Sequence, residues 1–193
     1  CNGLRGKVHL LAAGDVATAA AWNVITNDVI DTRAVLANVK STTLTTTTTT
    51  TVTTAGTFYD ISGLTISITP TSATSKIMIW AQIYGGLGTD NVLGVRLVRD
   101  STPIGIATAV SARQAGSTGA YYGSAAMTTT PSHFPLPMQF LDSPATTSAL
   151  TYKVQVSSNT NGTVVYINRS NNDGDSPAQV RATSTITVME VPV

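Results

Sequence analysis

The sequence predicts an all-β fold: a two-layer, jelly-roll-like antiparallel sandwich, preceded by an N-terminal arm and helix. Three observations carry this reading. From residue 57 onward, apolar and polar residues alternate in short runs, the period of a half-buried strand. Turn residues interrupt those runs roughly every eight to twelve positions, the spacing of sandwich strands. No segment after Val39 carries a helical period, which argues against parallel crossover connections.

Composition narrows the function. The 193 residues suffice for one substantial core, or for one domain and an arm. Only 11% are charged, against the usual proportion of about a quarter. Thr, Ser, Gly and Ala take the place of Lys and Glu, and Glu190 is the only glutamate. A net charge of +1 creates no long-range field, which argues against a nucleic-acid partner or an anionic membrane surface. No run of eighteen apolar residues exists, so no transmembrane helix and no membrane insertion are expected. The single cysteine, Cys1, has no partner for a disulfide within the chain. So little charge gives weak colloidal protection, and a closed assembly would hide surface that a free monomer must keep soluble.

The first element is the arm, residues 1–40, read as an attachment segment. Asp15 is placed to cap a helix starting near Val16, and Ala17, Ala19, Ala20 and Ala21 favour it. Val16 and Ala20 recur at helical spacing, while Trp22, Ile25 and Val29 add a broad apolar flank. Such a helix suits packing around a symmetry axis or docking onto a partner; folding back on the β body is the alternative. Residues 41–56 follow as a Thr-rich extended connector, with seven consecutive threonines at 45–51. β-Branching favours extended backbone, so the stretch reads either as a segment that other strands pair with or as a low-complexity linker.

Residues 57–193 form the body. Leu64, Ile66 and Ile68 alternate with hydroxyl residues until Pro70. Over 76–84, Ile77, Ile79, Ala81 and Ile83 share one face, and Met78, Trp80, Gln82 and Tyr84 the other; two apolar faces predict a central strand with Trp80 covered by an arm or a neighbouring subunit. Strands are expected next at 92–99, 104–110 and 120–127. In 133–141, Phe134, Leu136, Met138 and Phe140 alternate, with Pro135 and Pro137 opposite, which predicts an edge or bulged strand. Leu150 to Val156, Val164 to Ile167 and a last strand within 178–188 complete the body.

Little here supports catalysis, and the sequence predicts no enzyme and no cofactor. His9 and His133 belong to no spaced ligand motif, no serine sits in a nucleophile elbow, and no glycine run cradles phosphate. Asp173 and Asp175 flank Gly174 and are candidate oxygen ligands for calcium; with no distal glutamate, a plain Asn/Asp/Gly turn is the preferred reading and no metal is expected. Tyr121 and Tyr122, with Arg113 and Arg169, are candidates for surface recognition of a host glycan, since aromatic faces beside polar loops suit sugars. Ordinary core or interface tyrosines are the alternative. Asn161-Gly162-Thr163 and Asn168-Arg169-Ser170 match the glycosylation acceptor pattern by chance or by design.

The arm segment Ala13-Gly14-Asp15-Val16-Ala17-Thr18-Ala19-Ala20-Ala21-Trp22-Asn23 resembles a short segment of structural proteins of tailed bacteriophages, with Ala17 where leucine is more typical. Gly63 to Pro70, Ser75-Lys76-Ile77 and Arg96 to Thr102 are similar to a β domain of marine phage virion proteins. The resemblance implies a virion location as a tail fibre, head fibre, or capsid decoration or cement protein. It implies a homotrimer with other virion proteins as partners, and it transfers no catalytic residue. On this reading Val16, Ala20, Trp22, Ile25, Val29, Met78 and Trp80 are the attachment and oligomer-interface candidates.

Overall fold

The computed structural model describes residues 38–88, 91–122, 133–177 and 179–193. The expected helix, with Val16, Ala20, Trp22, Ile25 and Val29, lies outside the described residues. Eleven strands follow in order: β1 Val39–Leu44, β2 Thr48–Val52, β3 Tyr59–Ile68, β4 Lys76–Leu87, β5 Asn91–Arg99, β6 Thr102–Ile104, β7 Thr118–Tyr122, β8 Phe134–Asp142, β9 Leu150–Ser158, β10 Thr163–Ile167 and β11 Ser184–Val191. All their pairings are antiparallel.

Three pairs of strands run end to end, so the eleven strands make eight rows. β1 and β2 lie in line along β11 and β10, which themselves continue one another along β4. β6 and β7 share one edge of β5 in the same way. The first sheet therefore reads β1/β2, β11/β10, β4, β8, and the second β3, β9, β5, β6/β7. With rows numbered along the chain, these are 1-8-3-6 and 2-7-4-5, the double Greek key of a jelly roll. The predicted two-sheet sandwich is thus the observed one, and β4 is central as its two apolar faces required.

The core is the alternate set of each strand. Leu64, Ile77, Ile79, Ile83, Leu93 and Val188 are at most 1% exposed, and burial of such a side chain stabilises by about 1.5–3 kcal/mol. The Thr-rich stretch is extended and belongs to the first sheet: Thr50 and Val52 face inward, Thr49 and Thr51 outward. Hydroxyls on the outer side need no core, and the ladder with β10 and β11 supplies the rigidity.

Each spliced row is held at its joint by a side chain that replaces a ladder partner. At the β6/β7 joint, Ser117 N–H donates to Val95 O (2.8 Å) and its Oγ accepts from Leu97 N (3.1 Å). At the β10/β11 joint, Asn168 N–H donates to Tyr84 O (2.8 Å) while Ser184 Oγ accepts from Tyr84 N (2.9 Å). Excursions 105–117 and 168–183 leave the sheets at these joints.

Two differences from the expected strands have clear causes. The strand expected over 104–110 stops at Ile104, where Gly105 adopts φ 57°; a Cβ there would lie 2.9 Å from the Phe140 ring. Beyond Leu97 the β5 edge is occupied by β7, so residues 106–110 find no ladder, and Ile106 and Val110 are exposed. Conversely β4 runs through Gly85 and Gly86, because Ile167 and Tyr166 pair with them. Pro135 and Pro137 lie on β8, which among the described strands pairs only with β4. The register is unbroken, so both prolines occupy positions whose missing N–H would face away from β4.

Candidate functional site: the outer face of the first sheet

Strand register sets three lines of side chains across the outer face of the first sheet. The first is Val39, Met189, Met78 and Leu141; the second Ser41, Thr187, Trp80 and Gln139; the third Thr43, Thr185, Gln82 and Pro137. None of these twelve side chains is charged. The first line is an apolar band spanning the whole sheet, with Val39 and Leu141 each 43% exposed. Beside it Trp80 is 39% exposed. Trp80, Gln82, Pro137, Gln139, Thr185 and Thr187 border a shallow groove of about 520 Å³. Hydroxyl pairs Ser41–Thr187 (2.8 Å) and Thr43–Thr185 (3.4 Å) order its polar flank.

The outer face of the second sheet has the opposite chemistry. Lys153 Nζ and Gln155 Nε2 donate to Asp60 (2.8 and 2.6 Å), Arg96 Nε donates to Gln155 Oε1 (2.8 Å), and the Arg96 guanidinium lies 4.0 Å over the Phe58 ring. Burial works against the Asp60 charge, but the hydrogen bonds from Lys153 and Gln155 outweigh it and hold the carboxyl below its ordinary range. This face is charged and internally paired, whereas the three lines named above carry no charge; Lys76, at the start of β4, is the next outward residue beyond the apolar band.

The start of the apolar band is fixed by the only glutamate. Glu190 is 2% exposed; Asn38 Nδ2 donates to its Oε2, and Thr71 N–H and Oγ1 donate to Oε1 (2.8 and 2.7 Å). Burial opposes the charge, yet hydrogen bonds from Ser75, Asn38 and Thr71 prevail and bring its pKa down from 4.5 to about 2. A carboxylate with a depressed folded pKa contributes stability that is complete above the unfolded value and lost as pH falls toward the folded one. Acid titration should therefore remove roughly 3 kcal/mol between pH 4.5 and 2 through this group. In Glu190→Gln that part of the acid transition should vanish, as read by urea unfolding at several pH values; an unchanged acid profile would overturn this role of Glu190.

The other sequence candidates do not converge. Tyr121 is 66% exposed, but Tyr122 is 1% exposed, donates its hydroxyl to Gly85 O, and tilts against Phe134 at 5.3 Å. Burial raises the Tyr122 pKa above its ordinary range. Tyr122 is therefore corrected from a surface residue to a core residue, because successive residues of a strand point to opposite faces. Arg113 is exposed in the turn closed by its own N–H to Val110 O (3.2 Å). Arg169 stacks 4.6 Å over Tyr166. Asp173 does not present free ligand oxygens: Arg181 donates to both of them (3.0 and 2.7 Å), and those bonds lower its pKa. Asp175 is exposed, and among the described residues no group of three or more His, Cys, Asp or Glu is placed to hold a metal. Asn168 is fully buried with its amide engaged, which excludes it as an acceptor for a glycan in the folded chain, whereas Asn161 is exposed and its Oδ1 accepts from Ala55 N (2.7 Å).

Sequence reasoning found Met78 and Trp80 but missed Val39, Leu141 and Met189. Those three come from different strands and meet Met78 only through register, which no local period encodes.

The row order defines a jelly-roll sandwich. Among solved structures, the chain is similar to a protein of the infectious bursal disease virus particle at 14% identity, covering 79% of this chain and 35% of that one, with a TM-score of 0.39. It is also similar to a protein of the Gx strain of that virus at 12% identity, covering 78% and 37%, with a TM-score of 0.37. The VP2 subviral particle of the same virus matches at 10% identity, covering 81% and 39%, with a TM-score of 0.36. The chain thus spans little more than a third of the length of these proteins. No family model and no curated protein matches the sequence. The jelly-roll order rests on this chain's own strand pairings.

Proposed function

We propose that this chain is a structural subunit of a virion, of the tailed-phage kind that its arm resembles, assembled with copies of itself into a closed trimer and attached to other virion proteins through residues preceding the sandwich. The observation that carries the reading is the contrast between the two outer faces. One sheet presents a charge-free band with Trp80 at its centre, and the other a charged network already satisfied within the chain. The band's apolar part gains free energy when buried against another protein surface, and its hydroxyls and carboxamides avoid the larger desolvation cost of charges. The jelly-roll order supports the reading as analogy, since capsid and lectin domains use it. A non-enzymatic role is consistent with Asp60, Asp142, Asp173 and Glu190, whose carboxylates are all held by hydrogen-bond donors.

Light scattering on the full chain at micromolar concentration tests this. The expected mass is about three times the 20.0 kDa of one chain. A 20.0 kDa species at every concentration would overturn self-assembly and favour a decoration or cement subunit held by the particle.

A further inference from the structure

We infer that copies of this chain meet through the outer face of the first sheet, turned toward the rotation axis of the assembly with Trp80 and the apolar band at the contact. The inference rests on the self-assembly proposed above and assigns its surface.

The chemistry of the face is self-complementary. Farther out in a trimer a side chain meets a different part of the neighbouring copy, whereas close to the rotation axis it lies near its own equivalents. A lysine or aspartate there would meet its like and repel. Hydroxyl and carboxamide groups instead both donate and accept, so Ser41, Thr187, Gln82 and Gln139 can satisfy their own copies. The apolar band needs no partner chemistry beyond more apolar surface. Across all three lines the absence of charge thus suits contact with a second copy.

Three other surfaces of the sandwich are less suited to contact between copies. Edge pairing along β8 is disfavoured by Pro135 and Pro137, which remove donors from the edge that no described strand pairs. The opposite edge of the first sheet is engaged with the second sheet, where Thr42 Oγ1 donates to Thr65 O (3.3 Å) and Leu44 packs on Gly63. On the outer face of the second sheet, Gln114 already covers Gly94 and accepts from Ser157 Oγ, beside the paired Asp60 network.

Three variants of the full chain test the surface. Trp80→Glu places like charges at the contact and should weaken association roughly 100-fold, giving a monomer by light scattering while the thermal transition persists. In a Cys1→Ser background, Thr187→Cys should form a disulfide between copies under mild oxidation, and Thr151→Cys on the other sheet should not. An assembly that survives Trp80→Glu and cross-links through Thr151→Cys instead would overturn this surface while leaving self-assembly standing. A wild-type monomer would overturn both. Should Trp80→Glu fail to fold, the cysteine pair still decides.

Discussion

Asp142→Ala should lower the unfolding free energy by about 3–5 kcal/mol, the range for breaking one side of a buried charge pair. Asp142 closes β8 at 5% exposure, and its carboxylate accepts from Arg99 Nη1 at both oxygens (2.7 Å each) and from the Tyr152 hydroxyl (2.7 Å). Arg99 ends β5 and Tyr152 lies in β9, so one carboxylate joins the two sheets. Burial, then the bond to Asp142, raises the Tyr152 pKa above its ordinary range. Alanine would leave a fully buried hydroxyl and a mostly buried guanidinium without their acceptor. Asp142→Asn keeps an acceptor but removes the charge, and about half the loss is expected. Removing all three partners together, as Arg99→Met, Asp142→Leu and Tyr152→Phe, should cost less than Asp142→Ala alone, because no polar group then remains unpaired. Urea unfolding of the series decides; a loss below about 1 kcal/mol for Asp142→Ala would show that water replaces the carboxylate.

Much of the sandwich is legible in the sequence because strand burial follows a local rule. In 64–68, 76–84 and 150–156 every second residue is apolar, and those residues form the core. The reading fails where pairing decides. Ile104, Ile106 and Val110 have the right alternation, yet only Ile104 is in a strand, since β7 already occupies the rest of the β5 edge. The threonines of β2 fit either reading made of them, a paired strand or a linker, and the edge offered by β10 decides for the strand.

The candidate face was legible only in part for a related reason. Met78 and Trp80 stand out because their strand is apolar on both sides. Val39, Leu141 and Met189 are individually unremarkable, and become a band when three antiparallel registers align them with Met78. Asp142 shows the same limit: in sequence it is an isolated turn residue, and its partners lie 43 and 10 positions away. Glycan recognition weakened through the simplest rule of all, the alternation that sends Tyr121 out and Tyr122 in.

Asn168→Ala should cost about 4 kcal/mol, and its effect should be largest in the Thr-rich row. Asn168 is fully buried at the β10/β11 joint with φ 63°. Its Nδ2 donates to Leu44 O (2.7 Å) and Thr46 O (2.9 Å), bridging the gap between β1 and β2, and its Oδ1 accepts from Ser184 Oγ (2.6 Å). Three hydrogen bonds at about 1 kcal/mol each account for most of the loss. Alanine, unlike asparagine, has no side-chain hydrogen bond to offset the left-handed backbone, which adds about 1 kcal/mol. Asn168→Gly removes that strain, though not the lost bonds, and should be about 1 kcal/mol less damaging. Among the described strands, row β1/β2 has a ladder neighbour on one side only, so Asn168 is a main tie on its register across the break at 45–47. Amide hydrogen exchange should therefore accelerate over 39–52 well before it does in β4, whose two neighbours persist. Uniform acceleration through both sheets would mean that Asn168 supports the sandwich as a whole instead of pinning the threonine row.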